Sequence, residues 1–266
     1  MKARAVQLST CLLVVCGPVA YGECPPALDL SRQHFDAFAA KRELVVRHVP
    51  EALFSAMSYQ DEGTASYLLP QGWSRGASYR DDASGLFMAT FVNRSEARLD
   101  IAIRGTELST LTDIQNNLFD NRQLAPALRF TREIMAAHPG MLVTVTGHSL
   151  GGALALELSH RLNGLDSVAF NPSPRFGNHR NPIPYYRVIF RERDEPLEAV
   201  RGSPEDIADW GLRYNVLLDI VPGIWGYRLL TQHAIAPMAL GMLVIAAIDS
   251  AAAAELLERT CRQLQD

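Results

Sequence analysis

Cysteine is scarce in this chain: four residues in 266, and two of them, Cys11 and Cys16, lie in an apolar stretch at the N-terminus. Only Cys24 and Cys261 remain beyond it, one near each end, so the fold has at most one staple to draw on. Charge of one sign is not concentrated anywhere. A net charge of −4 and a pI near 6.0, with no long like-charge run, give no reason to expect nucleic acid as a partner. Internal repeats and low-complexity blocks are absent as well. Long hydrophobic runs are also missing. The apolar stretch from Leu8 to Ala20 is broken by Gly17-Pro18, and the run Met238 to Ile248 falls short of the ~20 residues a membrane-spanning helix requires.

The N-terminal stretch has another reading. Lys2 and Arg4 precede the apolar middle, and Ala20-Tyr21-Gly22 supplies small residues at the −3 and −1 positions of a cut after Gly22, the pattern of a secretory signal peptide. The expected organisation is residues 1–22 as signal peptide and 23–266 as a single domain, in a secreted or periplasmic protein. In an oxidising compartment Cys24 and Cys261 are expected to pair, tying the N-terminus to the last helix. With 48% hydrophobic residues, the remainder can bury a sheet on both faces.

The order of elements indicates what kind of sheet. Residues 28–60 read as mostly helical, with a second helix from Glu51 to Gln60 following Pro50. Asp61 to Ser84 reads as an irregular or hairpin connection. Leu86–Val92 and Leu99–Ile103, separated by a polar turn, predict an antiparallel hairpin. A helix over about Pro126 to Ala137 leads to a strand over Leu142–Thr146. Further apolar strands are expected at Ser167–Phe170 and Tyr186–Phe190. Alternating strands and helices predict an α/β fold with a mostly parallel central sheet, helices on both faces and a helical C-terminal segment. Met238 to Ile248 reads as a core helix, with a lid or membrane-touching helix as the alternative.

The run Met141-Leu-Val-Thr-Val-Thr-Gly147-His148-Ser149-Leu150-Gly151-Gly152, followed by Ala153-Leu-Ala-Leu-Glu-Leu, carries the most information. A β-branched strand enters a Gly-x-Ser-x-Gly turn that opens an Ala/Leu-rich helix, the arrangement of an α/β-hydrolase nucleophile elbow. The turn lifts the Ser149 hydroxyl clear of the sheet, over a helix N-terminus whose N–H groups have no helical partner.

A serine hydroxyl needs a base, usually histidine, and in this fold the partners follow in the order serine, acid, histidine. Of the seven histidines, His148 sits in the elbow with its side chain expected to point away from Ser149. His160 is on the elbow helix, and His179 leaves little room for an intervening acid. His233 is the one late enough. The acid belongs just after a strand, where Asp194 is the first choice. Asp219 is the main rival, and Glu192, Glu195 and Glu198 are further candidates. The oxyanion hole is expected from the backbone N–H groups of Leu150 and Thr106, the latter in Arg104-Gly105-Thr106 after the strand ending at Ile103.

Together these segments resemble the class 3 (fungal-type) lipases. The resemblance rests on GHSLGG after a strand, the upstream Ile103-Arg-Gly-Thr106, Ser173-Pro-Arg-Phe-Gly-Asn178 and the Asp/His pair. It covers roughly residues 85–235, with Phe176 in place of the family's valine. The acid motif is matched loosely by Asp194-Glu-Pro and better by letters at Asp219-Ile-Val-Pro222, although that lies later than expected. The resemblance implies hydrolysis of acyl esters of lipids through an acyl-enzyme, with no metal or organic cofactor and with a lipid or small acyl-ester partner at a membrane or lipid surface. It also puts a lid or its hinge near Leu108, Leu111, Ile114 and Leu118, a spacing that suits a plain amphipathic helix equally well. Two other readings stay open: a phospholipase or acyltransferase toxin using the same triad, and a catalytically silent binding module.

Overall fold

Seven strands form one sheet in the order of the chain: β1 (Ser74–Asp81), β2 (Leu86–Asn93), β3 (Arg98–Ile103), β4 (Leu142–His148), β5 (Leu165–Phe170), β6 (Arg187–Glu192) and β7 (Tyr214–Leu218). The computed structural model describes residues 39–60, 67–105, 121–174, 185–193, 195, 197–198, 201, 214–218 and 233–265. β1, β2 and β3 pair antiparallel, and β3 through β7 run parallel. The helices are α1 (Ala39–Met57), α2 (Leu124–Ala137), α3 (Leu150–Arg161), α4 (Ile235–Asp249) and α5 (Ala251–Gln265).

Strand alternation sorts the side chains into two cores. Phe87, Ala89, Phe91, Ala102, Val168, Phe170, Val188 and Phe190 face α1 and α4. Leu86, Met88, Leu99, Ile101, Ile103, Val143 and Val145 face α2 and α3. This is the α/β-hydrolase architecture expected, with helices on both faces and a helical C-terminal segment.

The predicted hairpin forms with Asn93 opposite Arg98. Two elements differ from expectation. Pro50 lies inside a single helix instead of starting a second one. Its ring forfeits a backbone hydrogen bond, at about 3 kcal/mol in a helix interior, but α1 is buried on both sides of it, at Val45, Val49, Leu53 and Phe54. The sheet also gains β7, a five-residue edge strand with only every second residue well buried, too short and too polar to stand out in sequence. The expected helical C-terminal segment ends in α5, mostly exposed and packed against α4.

The run around Met238 to Ile248 is core. Met238, Ala239, Met242 and Leu243 are fully buried in the layer shared with α1. No helix among the described residues is long and apolar enough to cross a membrane. Residues 1–22, expected to be a signal peptide, Cys24 and the segment with Leu108, Leu111, Ile114 and Leu118 lie outside the described residues.

Candidate active site

The parallel register determines what meets at the C-terminal edge of the sheet. Ile103 pairs with Gly147 and His148 with Phe170, so the residues just past each strand, Gly105, Ser149 and Asn171, emerge side by side. Ser149 is the turning point. Its backbone has φ 54° and ψ −121°, a left-handed φ that is rare for a residue with a side chain and marks the strained elbow. Hydrogen bonds hold it there: Ser149 N–H donates to Phe170 O at 3.0 Å, and its carbonyl accepts from Ala153 and Ser173 N–H at 3.1 and 3.0 Å. Leu150 follows as the first residue of α3, where a helix N–H has no intrahelical carbonyl to bond.

Two glycines make this crossing possible. A Cβ on Gly151 would stand 2.1 Å from Ile103 O, and one on Gly105 would stand 2.4 Å from Tyr59 Oη and 2.5 Å from His148 O. The same Gly105 position is 3.3 Å from Ser149 Cβ. The Arg104-Gly105 backbone therefore lies directly against the elbow serine. Thr106, the expected donor in this loop, lies outside the described residues.

His233 precedes α4 and is 5% exposed. Its Nδ1 lies 2.8 Å from Glu195 Oε2, and its Nε2 is buried with no hydrogen-bond partner among the described residues. The carboxylate seen on Nδ1 is thus Glu195, one of the further candidates. Asp194 and Asp219 both lie outside the described residues. Beyond β6 the chain keeps its pairing through Arg193 N–H to Leu218 O at 2.9 Å.

Glu195 is saturated with donors. Leu197 N–H donates to Oε2 at 3.1 Å, and Arg201, itself 4% exposed, donates from Nη1 to Oε1. Arg201 Nε also donates to Pro172 O at 2.5 Å, anchoring the acid to the segment after β5. Burial pushes Glu195 upward, but the hydrogen bond with His233 and the Arg201 charge outweigh it and hold the carboxyl below the ordinary range. Arg201 belongs to no motif, and only its long-range contacts mark it as part of the site.

His148 also belongs to the hydrogen-bond network of the site. Strand alternation turns it to the α1 side, away from the α3 core. There its Nε2 lies 2.5 Å from His233 O and its Nδ1 3.0 Å from Tyr59 Oη. Tyr59 Oη in turn accepts from Gly105 N–H at 2.9 Å. No cluster of three or more histidine, cysteine, aspartate or glutamate residues suited to a metal occurs among the described residues.

The strand order and the strained serine elbow are those of an α/β-hydrolase fold. Residues 123–168, spanning α2, the elbow strand, the elbow and α3, match the model of the family described as lipase (class 3). This is the family the motifs resembled, and the match is confined to that segment. Among solved structures, a triacylglycerol lipase from Penicillium expansum is similar at 15% identity and TM-score 0.48, covering 67% of this chain and 81% of that one. A lipase from Rhizopus microsporus var. chinensis is similar at 16% identity and TM-score 0.47, covering 64% and 71%. A lipase from Yarrowia lipolytica is similar at 17% identity and TM-score 0.45, covering 67% and 80%. A search of curated proteins finds no significant match.

Proposed function

We propose that the chain is a secreted or periplasmic serine hydrolase of lipase type that cleaves acyl esters of lipids through an acyl-enzyme. The observation that carries this reading is the buried His233–Glu195 hydrogen bond beside the strained Ser149 elbow. Ser149 Oγ attacks the ester carbonyl carbon while His233 Nε2 takes its proton. The backbone N–H groups of Thr106 and Leu150 hold the oxyanion. Collapse of the tetrahedral intermediate expels the alcohol, which receives the proton from His233. Water, deprotonated by His233, then attacks the acyl-enzyme and releases the fatty acid. Glu195 keeps the Nδ1 proton in place and stabilises the imidazolium. Nε2, buried and without a hydrogen-bond partner among the described residues, suits the base role, since the serine contact of such sites tightens only when substrate binds. No metal or organic cofactor enters the scheme.

The proposal includes residues 1–22 as the signal peptide, 23–266 as one domain, and a Cys24–Cys261 disulfide. The test is turnover of a p-nitrophenyl ester by Ser149→Ala, together with labelling by a fluorophosphonate probe. A loss of about 10⁴-fold or more in kcat, with labelling abolished, is expected. Unchanged turnover rejects the reading. Identification of the products from a lipid panel then separates a triacylglycerol lipase from a phospholipase or acyltransferase.

A further inference from the structure

The elbow histidine takes no part in the scheme above, yet it sits in a hydrogen-bond chain whose every direction is set by chemistry. One end is Gly105 N–H, which can only donate, so Tyr59 Oη is the acceptor of the 2.9 Å bond. The other end is His233 O, which can only accept, so His148 Nε2 carries the hydrogen of the 2.5 Å bond. Burial, followed by the neighbouring His233, holds His148 well below the ordinary histidine range, leaving it neutral. A neutral imidazole has one N–H. With that hydrogen on Nε2, Nδ1 is a bare acceptor, and the Tyr59 hydroxyl supplies the hydrogen of the 3.0 Å bond. Donation therefore runs from Gly105 to Tyr59, from Tyr59 to His148, and from His148 to the His233 backbone.

We infer that Tyr59 and His148 are positioning residues that fix the distance between the oxyanion loop and the base. The inference rests on the reading of Ser149 and His233 as nucleophile and base. The two parts the chain connects sit on different segments: Gly105 follows β3, whereas His233 precedes α4. Tyr59 comes just after α1, and His148 is the last residue of β4. The rigid sheet and α1 thereby hold both ends of the site. At the Gly105 end the packing leaves no slack, because a Cβ there would strike Tyr59 Oη and His148 O. At the other end the His148 and His233 rings lie 4.7 Å apart, so a shift of one displaces the other. Neither Tyr59 nor His148 is assigned a contact with the reacting atoms. Their effect passes through the main chain of Gly105 and His233.

The test compares Tyr59→Phe, His148→Phe, the double variant and His148→Gln, which keeps an N–H donor near the place of Nε2. The readouts are kcat and KM on a p-nitrophenyl ester and the rate of fluorophosphonate labelling at Ser149. Misplacing a base by about 1 Å costs about 100-fold. Tyr59→Phe is expected to lower kcat about tenfold and His148→Phe about 100-fold, with KM within about twofold. The double variant should be no slower than His148→Phe, since one break already interrupts the chain. His148→Gln should recover about tenfold of the His148→Phe loss. Wild-type kcat and labelling in both Tyr59→Phe and His148→Phe, with His233→Ala inactive, overturn the inference and leave the triad reading standing. Activity in His233→Ala overturns the triad reading itself. If His148→Phe fails to fold, Tyr59→Phe and His148→Gln decide, and full kcat in Tyr59→Phe overturns the inference.

Discussion

Glu195 and Asp100 are both carboxylates withdrawn from water, 2% and 0% exposed, at opposite ends of the parallel strands. Beyond the C-terminal end of β6, Glu195 meets His233, Arg201 and the Leu197 N–H. Near the start of β3, Asp100 has no hydrogen bond on either oxygen among the described residues. Its nearest cation is Arg98 Nη2 at 4.0 Å. That same nitrogen donates to Glu51 Oε1 at 2.9 Å, and a second carboxylate therefore shares the pocket. Desolvation, reinforced by the Glu51 charge, drives Asp100 well above the ordinary range despite Arg98. Burial alone thus does not determine the charge state. Partners do: the donors around Glu195 favour its ionised form, whereas Asp100, between a helix and a sheet, is pushed toward the neutral form.

The largest effect that can break this comparison is catalytic. Glu195→Gln preserves shape but removes the charge and disturbs the hydrogen bond that fixes the His233 tautomer. A loss of about 10⁴-fold in kcat is expected, against less than about threefold for Asp194→Asn, an ordinary loop change. Steady-state kinetics of the two variants side by side decide the acid. The reverse pattern would return the role to Asp194 and reduce Glu195 to a structural partner of Arg201.

Arg201→Met comes next and is read in stability. Removing one member of a buried ion pair costs about 3–5 kcal/mol, measured as the shift of a urea unfolding curve at neutral pH. The sign of its pH dependence follows from Glu195. A carboxyl whose native pKa is depressed contributes stability above its unfolded pKa and loses it as pH falls through the native value. Without Arg201 the native value rises and that contribution shrinks, so acid unfolding should begin at higher pH than in the wild type. Equal acid midpoints would mean that Arg201 adds nothing to the ionised state of Glu195.

What the sequence revealed of this site, and what it hid, divides along the same physical line. Ser149, Leu150 and the Gly105 loop were legible because a strand, a glycine turn and a helix are local patterns, and their glycines answer to contacts within the elbow. The layered sheet was legible for the same reason, through the two-residue period of β2 and β3. His233 was reachable from its place in the chain. The acid was not, because the acidic residues clustered after β6 look alike in sequence, and only a long-range contact such as that of Glu195 with His233 tells them apart. Arg201, Tyr59 and the role of His148 depend on contacts between segments remote in sequence. Asp100 was hidden too, since an aspartate in an apolar strand resembles a solvent-facing residue until α1 and Glu51 cover it.

Asp100→Asn has the smallest expected effect and tests the other half of the comparison. The sign is opposite to that of Glu195. Below the unfolded aspartate pKa, about 3.9, native and unfolded chains both carry the proton, and the substitution changes little. As pH rises from there toward the elevated native pKa, the unfolded chain releases its proton before the native one does. The native state then binds more protons, and wild-type stability falls with pH. Above the native pKa the full penalty of a buried charge beside Glu51 is present. Asparagine is neutral throughout and escapes it, so the variant should gain on the wild type across that window and then level off. A gain of about 1–2 kcal/mol at pH 8, shrinking toward zero near pH 4, is expected, read from urea midpoints at both pH values. If Asp100→Asn instead loses stability at pH 8, Asp100 is ionised and bound to Arg98, and the two buried carboxylates are held by the same means after all.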